Sequence, residues 1–205
     1  MKHISRRKAL QLFSSVPVAA VAIVWTSSET EAAQTQAQAA RRQATERGTP
    51  FQPEFFTPRE YATVTVLADL IIPRDERSGS ASDAGVPEFM DFMMIDQPLR
   101  QTAMRGGLAF IDHLCDARFD KPFIECTDAE RRQVLDDLAY PGKVDPALAH
   151  GAAFFSSFRD LTASGFWTSK MGIEDLQYLG NKAVAEWNGC PSEALEHLGV
   201  KYEGE

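Results

Sequence analysis

Twice in this chain a threonine stands three residues ahead of a glutamate at the head of a helical stripe of apolar residues. The first instance is Thr57-Pro58-Arg59-Glu60, followed by Tyr61, Val64, Leu67, Ala68 and Ile71. The second is Thr127-Asp128-Ala129-Glu130, followed by Val134, Leu135, Leu138 and Ala139. A hydroxyl and a carboxylate at that spacing each take a backbone N–H that a helix start leaves unpaired, and Pro58 suits the first helical position. The i, i+3, i+4 recurrence then gives each helix one face to bury. Further stripes run through Phe89, Met90, Met93 and Met94, through Leu99, Met104, Leu108, Ile111, Leu114 and Cys115, and through Leu148, Ala152, Phe155, Phe158 and Leu161. A last short helix is expected over Ser192 to Leu198. No sustained period-two alternation of β-branched residues interrupts this pattern. The expectation is an all-α fold, one compact helical domain over 55–205. Roughly 150 residues suffice for a single core, and no fixed-period repeat points to a solenoid.

The breaks between stripes are equally informative. Ile71-Ile72-Pro73-Arg74-Asp75 ends the first helix, because the residue before a proline is pushed out of the helical region. The stretch from Asp75 to Ala84, rich in Ser, Asp and Gly, reads as an exposed loop. Gly106-Gly107 falls inside a helical stripe, where each glycine costs about 1 kcal/mol against alanine. Such a pair predicts either close packing or a bend.

Ahead of the domain, Ser5-Arg6-Arg7-Lys8-Ala9-Leu10 runs into a mostly apolar stretch ending at Trp25. A charged region followed by an apolar one is an export leader, and adjacent arginines mark the twin-arginine route, although Ala9 occupies the place where that route usually has Phe. The apolar run is short and broken by Gln11, Ser14, Ser15 and Pro17, whereas a permanent span needs roughly 20 apolar residues. Residues 1–33 are therefore expected to be a signal peptide, with candidate cleavage sites at Ala32-Ala33 and Ala37-Gln38-Ala39. Residues 34–54, which cannot bury enough apolar surface to fold alone, are expected to be a flexible linker.

Loss of residues 1–33 would move the formal charge from −8 to −10. An acidic chain without a basic, aromatic-lined groove is a poor nucleic-acid binder. The glycine-rich phosphate loops and the nucleophile elbow are absent from the sequence. His113, His150 and His197 stand singly, and Asp112 and Asp116 share a helical face that reads first as a solvated acidic surface. Two segments resist a purely structural account: the Pro73-Arg74-Asp75 turn, and the aromatic, glycine-punctuated stretch from Phe154 to Pro191. These either finish the core or form a surface moulded to another protein. On the second reading the contact residues are Pro73, Arg74, Asp75, Phe166, Trp167, Tyr178, Asn181, Trp187 and Cys190. In an oxidising compartment Cys115 and Cys126 would close a short loop as a disulfide, leaving Cys190 as a free thiol or an intermolecular partner.

The order and spacing of Ile71-Ile72-Pro73-Arg74-Asp75, Ala84-Gly85-Val86, Phe158-Arg159-Asp160-Leu161-Thr162 and Asp175-Leu176-Gln177-Tyr178-Leu179-Gly180-Asn181 carry a resemblance, together with the Arg6-Arg7 leader. Over residues 55–198 the chain resembles the small (gamma, or third) subunit of periplasmic flavin-dependent sugar dehydrogenases of the gluconate 2-dehydrogenase type. Asp175-Leu176-Gln177-Tyr178, where many relatives carry Asp-Leu-Gly-Tyr, is similar to the glucoside 3-dehydrogenase branch. The resemblance implies that FAD, the sugar pocket and the proton-abstracting residues lie on a large partner subunit, with electrons passing on to a cytochrome c. It implies no catalytic, cofactor-binding or metal-binding residue in this chain. The small subunit would serve assembly and export of its partner through the twin-arginine translocase to the periplasm, any membrane association being indirect. The alternative is an independent periplasmic redox or sugar-binding protein with its own site, built on His150 or the Asp112 and Asp116 face.

Overall fold

The computed structural model describes residues 27–178, 180 and 189–202. Arg6, Arg7, Asn181 and Trp187 lie outside these. Nine α-helices and no strand occur among the described residues: α1 (Ser27–Arg47), α2 (Pro58–Ile71), α3 (Ala81–Ala84), α4 (Val86–Asp96), α5 (Gln101–Phe119), α6 (Asp128–Ala139), α7 (Ala149–Trp167), α8 (Lys170–Asp175) and α9 (Ser192–Leu198). The fold is all-α, as the stripes require. Both capping boxes form: Thr57 N–H donates to Glu60 Oε2 at 2.8 Å and Thr127 N–H to Glu130 Oε2 at 2.7 Å. In each box the glutamate N–H returns a bond to the threonine hydroxyl, at 3.3 and 3.4 Å.

Helix α7 is the centre of the packing, touching α2, α3, α4, α5, α6 and α8. Its buried residues Phe155, Phe158, Leu161 and Phe166 meet Phe89, Met90, Met93 and Met94 of α4 and Met104, Leu108 and Ile111 of α5 in one cluster. The glycine pair resolves into close packing at one member only. A Cβ on Gly107 would lie 1.9 Å from the Phe154 ring, and one on Gly151 of α7 would lie 2.2 Å from Phe110, whereas Gly106 faces open space. The two helices therefore exchange a ring for a missing side chain at their crossing. Gly107→Ala is expected to lower stability by about 1–3 kcal/mol through overpacking, while Gly106→Ala raises it by up to about 1 kcal/mol through helix propensity. Urea unfolding midpoints of the two variants should move in opposite directions.

The turn before α2 is held by a buried carboxylate. Asp91 of α4, wholly excluded from solvent, accepts the backbone N–H groups of Glu54 at 2.8 Å, Phe55 at 3.1 Å and Phe56 at 3.0 Å. Arg105 donates to the Phe55 carbonyl at 2.8 Å while stacking over the Phe55 ring, 4.6 Å from its centroid. With its polar groups taken up, the turn can bury Phe55 and Phe56, whose rings meet edge to face at 4.8 Å.

Three expectations are corrected. The stretch read as leader end and linker is a helix, α1, from Ser27 to Arg47. It has too little apolar surface to fold alone, but Thr30, Ala33, Gln34 and Ala37 form a stripe that is buried against α4, and small residues let the backbones approach. The loop after Pro73 contains its own short helix, α3, opened by a third capping box in which Ser80 N–H donates to Asp83 Oδ2 at 2.8 Å. Leu99 leaves the α5 stripe, lying 98 % exposed in a 3-10 turn over Pro98–Arg100.

Cys115 and Cys126 are both buried, and both are free thiols rather than a disulfide. Burial, followed by the neighbouring Cys126, pushes the Cys115 thiol up to about 12. The Cys126 thiol donates to the Lys121 carbonyl at 3.9 Å. Packing holds the two side chains together, and burial keeps the Cys115 thiol protonated.

Candidate partner-binding surface

The Pro73-Arg74-Asp75 turn begins where Ile72 N–H closes the last turn of α2 on Ala68 O, at 2.9 Å. Asp75 then folds the chain back on itself, accepting the N–H groups of Arg77 at 2.8 Å and Ser78 at 2.9 Å. The bonds from Ser78 and then Arg77 hold the Asp75 carboxyl below its ordinary range. Arg74 reaches across to Asp83 Oδ2 at 2.6 Å, and Asp69 accepts Ser82 N–H at 2.7 Å, so the turn and α3 are braced together. The Ser80 N–H, first, and the Arg74 guanidinium beside it keep Asp83 ionised below the usual carboxylate range. Pro73, Arg74 and Asp75 are all exposed.

Arg77 carries this turn to the other end of the sequence. Its guanidinium hydrogen bonds to the Asp175 carbonyl and pairs with the Asp175 carboxylate at 3.4 Å. The two segments that the sequence marked separately are thereby adjacent. Beyond α7, Ser169 caps α8 by accepting Gly172 N–H at 3.0 Å, and Gly172 lies so close to Phe166 that a Cβ there would be 2.1 Å from its carbonyl oxygen. Helix α8 ends with Gln177 N–H on Glu174 O at 3.0 Å and Tyr178 N–H on Ile173 O at 3.1 Å, with Gln177 at φ 53°. This is a left-handed helix stop, a conformation in which glycine is at ease and a side chain is strained.

Of the expected contact residues in this region, Trp167 is 39 % and Tyr178 65 % exposed, and Ile173 and Leu176 beside them are 40 % and 57 % exposed. Phe166 does not belong to this surface. At 1 % exposure it is core, its ring packed edge to face on Trp167 at 4.9 Å, because the tight α7 to α8 corner turns it inward. Cys190 is exposed, its N–H donating to the Tyr202 hydroxyl at 2.6 Å. Ile173 and Leu176 are not among the contact residues expected from the sequence, although their three-residue spacing, out of phase with buried Gly172, carries the signal.

The other polar candidates are occupied by the fold or scattered. Asp112 accepts Phe123 N–H at 2.9 Å and Arg59 Nη2 at 3.1 Å. His113, His150 and His197 lie exposed on three different helices. No cluster of three or more metal-ligating side chains occurs among the described residues. The arrangement is an exposed apolar strip beside a rigid charged turn, which suits contact with another macromolecule.

A family model described as gluconate 2-dehydrogenase subunit 3 matches residues 58–189. The chain belongs to the gluconate 2-dehydrogenase subunit 3 family. No curated protein matches it, and no solved structure does. The matched span runs from α2 to the segment after α8, so this subunit 3 homologue carries its turn, its α7 hub and its apolar strip inside the family region, with α1 and Cys190 outside it. Gln177, inside the matched span, holds the left-handed conformation that glycine adopts without strain.

Proposed function

We propose that this chain is the non-catalytic small subunit of a periplasmic FAD-dependent sugar or glucoside dehydrogenase, required for assembly and twin-arginine co-export of the flavin-bearing large subunit. The family match over residues 58–189 carries the reading. The exposed strip of Trp167, Ile173, Leu176 and Tyr178 beside the braced Pro73-Arg74-Asp75 turn supports it, as apolar and aromatic residues next to fixed charges are what a partner interface uses. Flavin, sugar pocket and the groups that remove the substrate's proton are assigned to the large subunit, and the electrons leave through a cytochrome c. A flavoprotein that must acquire its cofactor before transport has to cross the membrane folded. The Arg6-Arg7 leader of one chain then serves two.

The test is co-expression. The large flavoprotein subunit produced with this chain should give periplasmic, acceptor-dependent sugar oxidation. Produced alone, it should stay in the cytoplasm. Active large subunit in the periplasm without this chain would overturn the proposal.

A further inference from the structure

Helix α1 contains both bonds that the sequence offers to a leader peptidase, and it is packed. Thr30, Ala33, Gln34 and Ala37 are 4 %, 2 %, 4 % and 1 % exposed, a continuous stripe lying along α4. One turn beyond Ala37, Arg41 clamps the helix to the domain. Its Nη1 donates to the carbonyls of Ser82 at 3.2 Å and Asp83 at 2.9 Å, and its Nε lies 3.6 Å from Glu88 Oε1. Gly85, at φ 88°, makes room for this clamp: a Cβ there would stand 2.7 Å from Arg41 Nη1. Glu88 itself is mostly buried, so the pair is shielded from solvent on the carboxylate side.

A leader peptidase reads small side chains one and three residues before the bond it cuts, with the substrate drawn out in extended form. For the Ala37-Gln38-Ala39 site the residue three before the bond is Ala37, which faces α4. For the Ala33 site it is Glu31, a poor fit, and Ala33 itself is buried. Cutting at either place requires unfolding α1 from its seat, and folded segments are nicked only as often as they open locally. A twin-arginine substrate arrives already folded, so the seat is occupied before any peptidase is met.

We propose that α1 is a permanent part of the mature domain: the chain is processed ahead of Thr30 or keeps its leader, and the alanine sites within α1 are not used. This rests on the export reading above, and the experiment separates the two. In one arm, the N-terminus of the chain recovered from the periplasm is sequenced. A start ahead of Thr30, or an intact leader, is expected; a start at Gln34 or Ala40 overturns the proposal. If all the chain stays in the cytoplasm, the export reading fails instead, and the second arm still decides.

In the second arm, full-length chain purified from the cytoplasm is treated with elastase, which cuts after alanine, and the products are identified by mass. No product of the native protein should begin between Gln34 and Arg41. Ala37→Glu, which drives a charge into the α4 contact, and Arg41→Ala, which only removes the clamp, should both release such products at least tenfold faster. Gln36→Glu, on the exposed side of the same helix, should behave as the native chain. Rapid cutting of the native chain within α1, or equal resistance in all three variants, would show that docking does not protect the sites.

Discussion

Replacing Asp91 by alanine is expected to destabilise the domain by about 3–5 kcal/mol, the range for removing one side of a buried charged hydrogen-bond set. Three backbone N–H groups converge on this fully buried carboxylate, at 2.8, 3.1 and 3.0 Å. Without it the 54–56 turn leaves its seat or keeps unpaired donors. The Phe55 and Phe56 rings and the entry to α2 depend on that turn. For a domain of this size the melting temperature should fall by roughly 10 °C or more. Asp91→Asn separates geometry from bulk. An amide keeps one oxygen for two of the donors but turns an NH₂ toward the third, so its loss should lie between native and alanine. Thermal melts of the three proteins, followed by circular dichroism, make the comparison. An Asp91→Ala protein that melts with the native one would disprove the role.

The second large effect concerns export rather than stability. Changing Arg6 and Arg7 together to lysine retains the positive charge of the leader but removes the arginine pair that the translocase receptor reads. On the proposed co-export, periplasmic dehydrogenase activity should fall by more than an order of magnitude, with this chain and the proposed flavoprotein partner both accumulating as folded, active complex in the cytoplasm. Cytoplasmic activity is the decisive readout, because it shows that assembly survived while transport did not. Ala9→Phe, which restores the residue usual at that place, should leave export unchanged or raise it. Undiminished periplasmic activity in the double lysine variant would mean that another leader type, or another route, carries the complex.

Much of the helical fold was legible beforehand because its signals are local. A capping box needs only four residues, so Thr57 with Glu60 and Thr127 with Glu130 announced their helices from spacing alone, and the apolar stripes of α2, α4, α5, α6 and α7 followed from a 3.6-residue period. The Gly106-Gly107 pair was marked as an anomaly for the same reason, its local cost being visible. What that cost secured was not. Only the crossing of α5 with α7 shows that Gly107 lies beneath Phe154 while Gly106 faces open space.

The candidate surface divides along the same line. The Pro73-Arg74-Asp75 turn is legible in the sequence because a proline that ends a helix is a local device. Arg77 was missed because its partner, Asp175, lies far along the chain and Arg77 itself belongs to no motif. Phe166 and Trp167 are neighbours of similar character, and no periodicity at the α7 to α8 corner distinguishes the buried ring from the exposed one.

The sequence by itself determined the helical class and the starts of α2 and α6, which rest on interactions between residues a few places apart. Tertiary structure decided the fate of residues 27–47. Their composition is too polar to fold in isolation, and that reading of them holds for a segment without a partner. Against α4, however, a stripe of alanine, threonine and glutamine is narrow enough to approach closely, and Arg41 finds helix-end carbonyls and a buried carboxylate. Burial against a distant surface is a property of the pair, so it cannot be read from either partner alone.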